Sequence, residues 1–117
     1  MKLLIVGSRS ITNFDFSTYI NDDVDLIISG GANGIDILAE AYADKMRISK
    51  LILRPDYKKY GKGAPLRRDD EMVNIADEVL AIWDGVSRGT RHTVEYAKKC
   101  GKPLTVITPS GDTSSEG

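Results

Sequence analysis

Five short apolar runs recur along the chain, and none of them alternates with polar residues. The runs cover 3–6, 25–28, 50–53, 79–82 and 104–107. A short run of this kind is typical of a strand that is buried on both faces, as in a parallel sheet. Each run ends close to a glycine or a proline, which interrupts regular structure. The pattern therefore predicts five β-strands.

Helical periodicity fills most of the intervals between these runs. Apolar residues spaced three and four apart predict helices over 34–47, 65–76 and 90–99, with a weaker candidate over 14–20. Pro65 suits a first helical turn, and Gly101 with Pro103 marks the end of the last helix. The segment 55–63 has no clear periodicity, so we expect a long polar loop there.

Strands that alternate with helices predict a single three-layer, doubly wound α/β domain over 1–108. We expect a five-stranded, mostly parallel sheet with helices on both faces and, by analogy with other doubly wound sheets, the strand order 3-2-1-4-5. The polar residues 109–117 are expected to form a disordered tail. Only four apolar residues follow Lys2 before Gly7, so we expect no secretory signal, no membrane segment and a cytoplasmic protein.

Composition narrows the classes of function. The 117 residues fit one domain, and the net charge of −1 lacks the basic excess of a general nucleic-acid binder. A single cysteine, Cys100, and a single histidine, His92, argue against an internal disulfide and a zinc site, so no metal is expected. Cys100 is expected to pack in the interior, and His92 has no obvious Asp or Ser partner for a catalytic triad.

Three loops with small and polar residues follow predicted strands 1, 2 and 4. Ligands of open parallel sheets bind at the carboxyl ends of the strands, so these loops, 7–10, 29–34 and 84–90, are expected to form one crevice. Glycine permits close backbone approach, and a following helix can direct N–H groups at an anion. The candidate ligand-binding residues are Gly7, Ser8, Arg9, Ser29, Gly30, Gly31, Gly34, Arg68, Asp84, Gly85, Ser87, Arg88, Gly89 and Thr90. Thr90 is the expected N-cap of the last helix.

Each of these features also has a plain structural interpretation. A glycine-rich loop can simply allow a tight turn, and Asp36 can simply complement the dipole of its helix. The pair Arg67 and Arg68 can belong to a solvated helix face. Trp83 can stack on a base or pack against its neighbours. The aromatic and basic residues of 57–62 can cover a ligand as a lid or contact a protein or a nucleic acid.

Taken together, these motifs resemble those of a known family. They are G-S-R at 7–9, S-G-G-A-N-G-I-D-x-x-A-E at 29–40, Y-G-K-G-A-x-x-R-R at 60–68, W-D-G-x-S-R-G-T at 83–90 and Y-A-x-K-x-G-K-P at 96–103. They resemble the YspA, or cpYpsA-related, family of the SLOG superfamily over 1–108. That superfamily includes the LOG phosphoribohydrolases, molybdenum-cofactor carrier-like proteins and DNA-processing protein A. The resemblance implies a Rossmann-like domain that binds a nucleotide or a nucleotide-derived ligand, without an established reaction.

The LOG enzymes provide a test of catalytic potential. Their motif P-G-G-x-G-T-x-x-E contains the catalytic glutamate, and an arginine four residues before a methionine assists. Arg68 and Met72 match that spacing, whereas Thr93 occupies the glutamate position and Glu95 lies half a helical turn further on. We therefore expect binding or sensing of a nucleotide-like small molecule, with no catalytic residue and no defined cofactor assigned. The alternatives are a hydrolase that cleaves an N-glycosidic or phosphate bond and, with less support, a nucleic-acid-binding module. A homo-oligomer is a reasonable default for a small parallel α/β domain.

Overall fold

All five predicted strands are present in the computed structural model, which describes residues 1–109. The elements are β1 (Lys2–Gly7), β2 (Leu26–Ser29), α1 (Ile35–Met46), β3 (Ser49–Ile52), α2 (Tyr57–Tyr60), a 3-10 turn (Gly61–Gly63), α3 (Ala64–Ile75), β4 (Glu78–Ile82), α4 (Arg88–Lys99) and β5 (Leu104–Ile107). The expected disordered tail lies outside the described residues, apart from Pro109. No helix within residues 1–109 is long and apolar enough to cross a membrane.

The strands form one parallel sheet in the order β3-β2-β1-β4-β5, which confirms the predicted fold class and strand order. Strand β1 lies at the centre, where Leu3 pairs with Ile27 of β2 on one side and Glu78 of β4 on the other. The chain winds outward from β1 in one direction and then from β4 in the other. The boundary between β1 and β4 is therefore the switch point at which such sheets bind ligands.

Two apolar layers cover the sheet, because successive side chains of a strand point to opposite faces. Leu3 and Ile5 of β1 pack in the layer that contains α1 and Phe16. Leu4 and Val6 pack in the opposite layer, together with Met72 of α3 and residues of α4. Burial on both faces explains why β1 has no alternation in its sequence.

Several local predictions were wrong. Strand β3 has three exposed residues and one partly buried residue, because it lies at the edge of the sheet. The segment 14–20 makes a single turn in which Tyr19 N–H donates to the Phe16 carbonyl oxygen at 2.9 Å. Phe16 is buried in the core there, while Ser17 N–H donates to the Asp15 carboxylate at 2.9 Å. The exposed Cys100 follows α4, so the expected packing role is also wrong.

The expected long loop over 55–63 instead contains helix α2 and the 3-10 turn. Asp56 is the N-cap of α2, and its carboxylate accepts a hydrogen bond from Lys59 N–H at 3.2 Å. Asp is one of the residues that stabilise a helix start in this way. With only four residues, α2 is too short to show the apolar periodicity on which the prediction relied.

Candidate functional site

A cleft of about 390 Å³ opens at the switch point, above the carboxyl ends of β1, β2 and β4. We call it the main chamber. Seven of the fourteen residues named from sequence line it: Gly7, Arg9, Arg68, Asp84, Ser87, Gly89 and Thr90. Asp36, Asp69 and Thr93, which were not named as ligand-binding residues, also line it. Residues as far apart in the sequence as Gly7 and Thr93 therefore meet in one cleft, as expected for a doubly wound sheet.

A second cleft of about 350 Å³ adjoins the main chamber, and we call it the side chamber. Gly30 and Gly31 line it, together with Arg54, Pro55 and Tyr57 at the end of β3 and the start of α2. Three residues line both chambers: Arg9, Ala32 and Arg68. The sequence reasoning missed Arg54, although its position directly after a strand could have indicated it.

Helix α4 begins two residues earlier than predicted, and its N-cap is Ser87 rather than Thr90. The Ser87 hydroxyl accepts a hydrogen bond from Thr90 N–H at 3.4 Å, and the Ser87 carbonyl accepts one from Arg91 N–H at 3.1 Å. Within residues 1–109, the N–H groups of Arg88 and Gly89 have no acceptor. They are the unsatisfied donors that every helix N-terminus carries, with the positive end of the helix dipole.

Asp84 joins the loops that follow β1 and β4. Its carboxylate accepts hydrogen bonds from the N–H groups of Val86 and Ser87 at 2.8 and 2.9 Å, and from the Ser10 hydroxyl at 2.9 Å. The two backbone donors lower the pKa of Asp84 to about 2, so its carboxylate is ionised at neutral pH. The Asp84 N–H in turn donates to the hydroxyl of buried Ser8 at 3.0 Å. These bonds hold the loop in front of α4 in place.

Gly30 and Gly31 provide room for two guanidinium groups. A Cβ atom at Gly30 would lie 2.8 Å from Nη1 of Arg68, and one at Gly31 would lie 2.8 Å from Nη1 of Arg54. Gly31 also has a φ of +72°, which other residues rarely adopt. The glycine motif therefore allows two arginines to lie directly against the backbone in the side chamber.

Arg68 occupies the wall between the chambers, and its side chain is only 10% exposed. Its guanidinium donates to the Asp69 carboxylate at 2.7 Å and to the carbonyl oxygens of Gly30 at 2.7 Å and Leu53 at 3.3 Å. Its second terminal nitrogen, Nη2, makes no hydrogen bond within residues 1–109. No fully buried polar side-chain atom in that part of the chain lacks a partner, so Nη2 is accessible. The solvated-face interpretation fits exposed Arg67, whose guanidinium lies 4.8 Å from the centre of the Tyr60 ring, but not Arg68.

Two buried carboxyl groups face Arg68 from the main chamber. Burial raises the pKa of Asp36 to about 6, although the Ala32 N–H at 3.1 Å and the charge of Arg68 favour the ionised form. Burial also raises the pKa of Asp69, and the neighbouring Arg68 partly offsets that rise. This burial was not predicted, because the position of Asp36 in the first helical turn is equally typical of a residue that complements the helix dipole. The main chamber thus contains acidic, hydroxyl and guanidinium groups together.

The remaining named residues line neither chamber. The Ser29 hydroxyl is buried and donates to the Glu40 carboxylate at 2.7 Å. A Cβ at Gly34, where φ is +74°, would lie 2.5 Å from the Ser8 carbonyl oxygen. Gly85 and Arg88 are exposed, in the loop before α4 and at its first residue. Ser8, Ser29 and Gly34 thus support the loops from inside the protein.

The structure also shows where the residues considered for hydrolysis and base stacking lie. Thr93, at the position of the LOG glutamate, is buried in the main chamber, where its hydroxyl donates to the Gly89 carbonyl oxygen at 3.1 Å. Glu95 is exposed and pairs with Arg91 at 3.0 Å, so it does not replace the missing carboxylate. His92 does have an acidic partner, Asp70 at 2.8 Å, contrary to expectation, but the pair lines neither chamber. Trp83 packs against the core layer of α3 and α4, and its indole N–H donates to the Ser87 carbonyl oxygen at 3.0 Å.

Comparison with known proteins gives one relative in sequence and one in structure. No family model matches the chain. A solved structure of DNA processing protein A from Helicobacter pylori superposes with a TM-score of 0.74 at 22% identity, covering 98% of this chain and 68% of that one. This likeness shows a shared fold, and that protein is described as having a distinctive mode of binding single-stranded DNA. The gene 61 protein of Mycobacterium phage D29 is 38% identical over an alignment of 85 residues, and the alignment covers 68% of this chain and 68% of that protein. The chain therefore belongs to the same family as the phage D29 gene 61 protein.

Proposed function

We propose that the main chamber binds the phosphate group of a nucleotide or of a nucleotide-derived small molecule. The observation that carries this proposal is the start of α4, where the N–H groups of Arg88 and Gly89 have no protein acceptor and Gly89 lines the chamber. Helix N-termini bind phosphate through such donors. The guanidinium groups of Arg9 and Arg68 line the same chamber and add charge-assisted donors for the phosphate oxygens.

The other chamber groups suit the sugar and base of a nucleotide. Carboxylates accept hydrogen bonds from ribose hydroxyls and exocyclic amines, and Asp36 and Asp69 both line the chamber. The hydroxyls of Ser10 and Thr90 can donate or accept. The motif resemblance to the YspA family of the SLOG superfamily supports the same class of ligand. We propose that this family assignment also holds for the present chain.

Calorimetric titration tests the phosphate site. Adenosine monophosphate and related nucleotides should bind, whereas the corresponding nucleosides should bind far more weakly, because they lack the phosphate. Arg9→Ala removes an exposed guanidinium that makes no protein hydrogen bond in residues 1–109, so the fold should be retained. The affinity for the nucleotide should fall by about 10-fold or more, the usual size for a charge-assisted bond.

Arg91→Ala is the matched control, because it removes an exposed arginine from α4 outside both chambers. Its affinity for nucleotides should equal that of the wild type. Equal losses in the two variants, or equal affinity for nucleosides and nucleotides, would contradict a phosphate site in the main chamber.

We propose binding rather than hydrolysis, because a threonine stands where the LOG enzymes have their catalytic glutamate. Incubation with a panel of nucleoside monophosphates, followed by chromatography, should release no free base beyond a protein-free control. Release of base that Arg68→Lys abolishes would support the hydrolase alternative instead.

Single-stranded DNA is a second candidate ligand. The net charge of −1 argues against a nucleic-acid partner, but the structural neighbour is described as binding single-stranded DNA, which makes that expectation doubtful. Residues 57–67 also contain four basic residues, two tyrosines and no acidic residue. A basic surface with aromatic side chains is typical of proteins that bind single strands.

Fluorescence anisotropy with a labelled oligothymidylate tests this candidate. Binding through the backbone should weaken with salt, with a slope of about −0.7 per neutralised phosphate in a plot of log K against log salt concentration. Binding that is absent even at low salt would remove the DNA candidate and leave the small-molecule proposal intact.

A further inference from the structure

A single nucleotide bound in the main chamber would leave the side chamber unused. Its volume of about 350 Å³ is close to that of the main chamber, about 390 Å³. Each lies near the lower end of the range of about 300–1,000 Å³ that is typical of small-molecule sites. Two adjoining chambers of similar size suggest a ligand with two parts of similar size.

The lining of the side chamber suits a flat ring system. Tyr57 is 60% exposed although it is a large aromatic residue, so its ring is available to a ligand. Pro55 and Pro65 add apolar surface, and Arg54 adds a planar cation. Nucleobases stack on tyrosine rings and on arginine guanidinium planes regardless of base identity. In contrast to the main chamber, the side chamber is lined by no carboxylate from residues 1–109.

The boundary between the chambers carries positive charge. Arg9 and Arg68 line both of them, and Nη2 of Arg68 is an accessible donor without a protein partner in residues 1–109. Arg68 is fixed there, because its other nitrogens bond Asp69 and the carbonyl oxygens of Gly30 and Leu53. A rigid guanidinium at a boundary suits a phosphate that links two groups, one on each side.

We propose that the two chambers bind one ligand composed of two nucleoside units joined by a phosphate bridge. One unit lies in the main chamber, the bridge contacts Arg9 and Arg68, and the second base stacks on Tyr57 in the side chamber. The inference rests on the proposed function, since it adds a second subsite to the same site.

Calorimetry with four probes tests the second subsite. They are adenosine monophosphate, the phosphodiester adenylyl-adenosine, the pyrophosphate-linked diadenosine diphosphate and a short oligothymidylate. At least one of the two dinucleotides should bind about 5-fold to 150-fold more tightly than the monophosphate, which is the range that one stacked base contributes. Comparison of the two dinucleotides identifies the type of bridge.

Variants of Tyr57 test whether the additional affinity of the dinucleotide comes from the side chamber. Tyr57→Ala should abolish the advantage of the dinucleotide and leave the affinity for the monophosphate unchanged, whereas Tyr57→Phe should retain the advantage. Tyr19→Ala is the control, because Tyr19 is also an exposed tyrosine, with 37% of its surface accessible, and it lines neither chamber.

Different failures have different meanings. Equal affinity for the monophosphate and both dinucleotides would overturn the second subsite while the proposed function stands. An oligothymidylate that binds far more tightly than either dinucleotide would also overturn it, in favour of a strand of DNA as the ligand. No binding of any nucleotide would overturn both proposals.

Discussion

The Asp36 carboxyl group should make the stability of the protein depend on pH in a calculable way. Burial in the main chamber raises its pKa from 3.8 to about 6. In the folded protein the group therefore binds a proton more tightly than in the unfolded chain. Its contribution to stability is fully present below about pH 3.8 and is lost as the pH rises through about 6.

The magnitude follows from the size of the shift. A change of about 2.2 pKa units corresponds to about 3 kcal/mol, at 1.36 kcal/mol per unit. Asp36→Asn keeps a neutral side chain at every pH, and its carbonyl oxygen can still accept the hydrogen bond of Ala32 N–H. The free energy of unfolding of the variant, relative to the wild type, should therefore increase by about 3 kcal/mol between about pH 3.5 and pH 7.5.

Urea denaturation of both proteins at several pH values measures this difference, and other titrating groups cancel because both proteins share them. Asp84→Asn should show the opposite sign, because the N–H groups of Ser87 and Val86 lower the pKa of Asp84 to about 2. The stability that this carboxylate contributes is present above about pH 3.8 and is lost in acid. If the difference in the free energy of unfolding between Asp36→Asn and the wild type stayed constant across the pH range, the assignment of a buried, proton-binding carboxyl group would be refuted.

Three further predictions concern the supports of the site. Arg68→Ala should lower the free energy of unfolding by about 3–5 kcal/mol, because it leaves Asp69 buried without its cation. Arg67→Ala, which removes an exposed arginine, should change the free energy of unfolding little. Similar urea denaturation curves for both variants would contradict this prediction. Gly34→Ala should lower the melting temperature strongly, because its Cβ would meet the Ser8 carbonyl oxygen at 2.5 Å. Gly61→Ala should lower the melting temperature less, because a Cβ at Gly61, where φ is +55°, would meet no atom of residues 1–109 within 4 Å beyond its chain neighbours. The reverse order would be inconsistent with the close approach of the two loops. Ser87→Ala should cost about 1 kcal/mol through the lost N-cap and speed hydrogen exchange at Thr90 N–H, and unchanged exchange would argue against Ser87 as the cap.

The sequence was sufficient for the sheet and for the position of the cleft. Buried strands such as β1 have apolar runs without alternation, and glycine and proline mark their ends, so the five strands could be predicted from the pattern. Their order was predicted by analogy with other doubly wound sheets, and the structure confirms it. The edge strand β3 departed from this rule, because burial of an edge strand depends on its neighbours. The short helix α2 also escaped prediction, since four residues carry no periodic signal.

The site was predicted only in part, because burial and pairing of charged side chains arise from tertiary contacts. Arg68 was named from a motif, but its place between Gly30 and Asp69 depends on the packing of α3 against the β2 loop. Asp36 has the same sequence context as an ordinary helix-dipole residue, and only the structure shows its burial. Arg54 follows a strand whose carboxyl end was not among the three loops considered, and Tyr57 was considered only as part of a lid, so the side chamber was missed.

Nuclear magnetic resonance titration of the nitrogen-15-labelled protein tests the central claim most directly. Addition of adenosine monophosphate should shift the amide resonances of Arg88 and Gly89, whose N–H groups have no acceptor in residues 1–109, and adenosine should leave them unchanged. Unchanged resonances at the start of α4 under saturating nucleotide, or shifts confined to another part of the protein, would contradict a phosphate site in the main chamber.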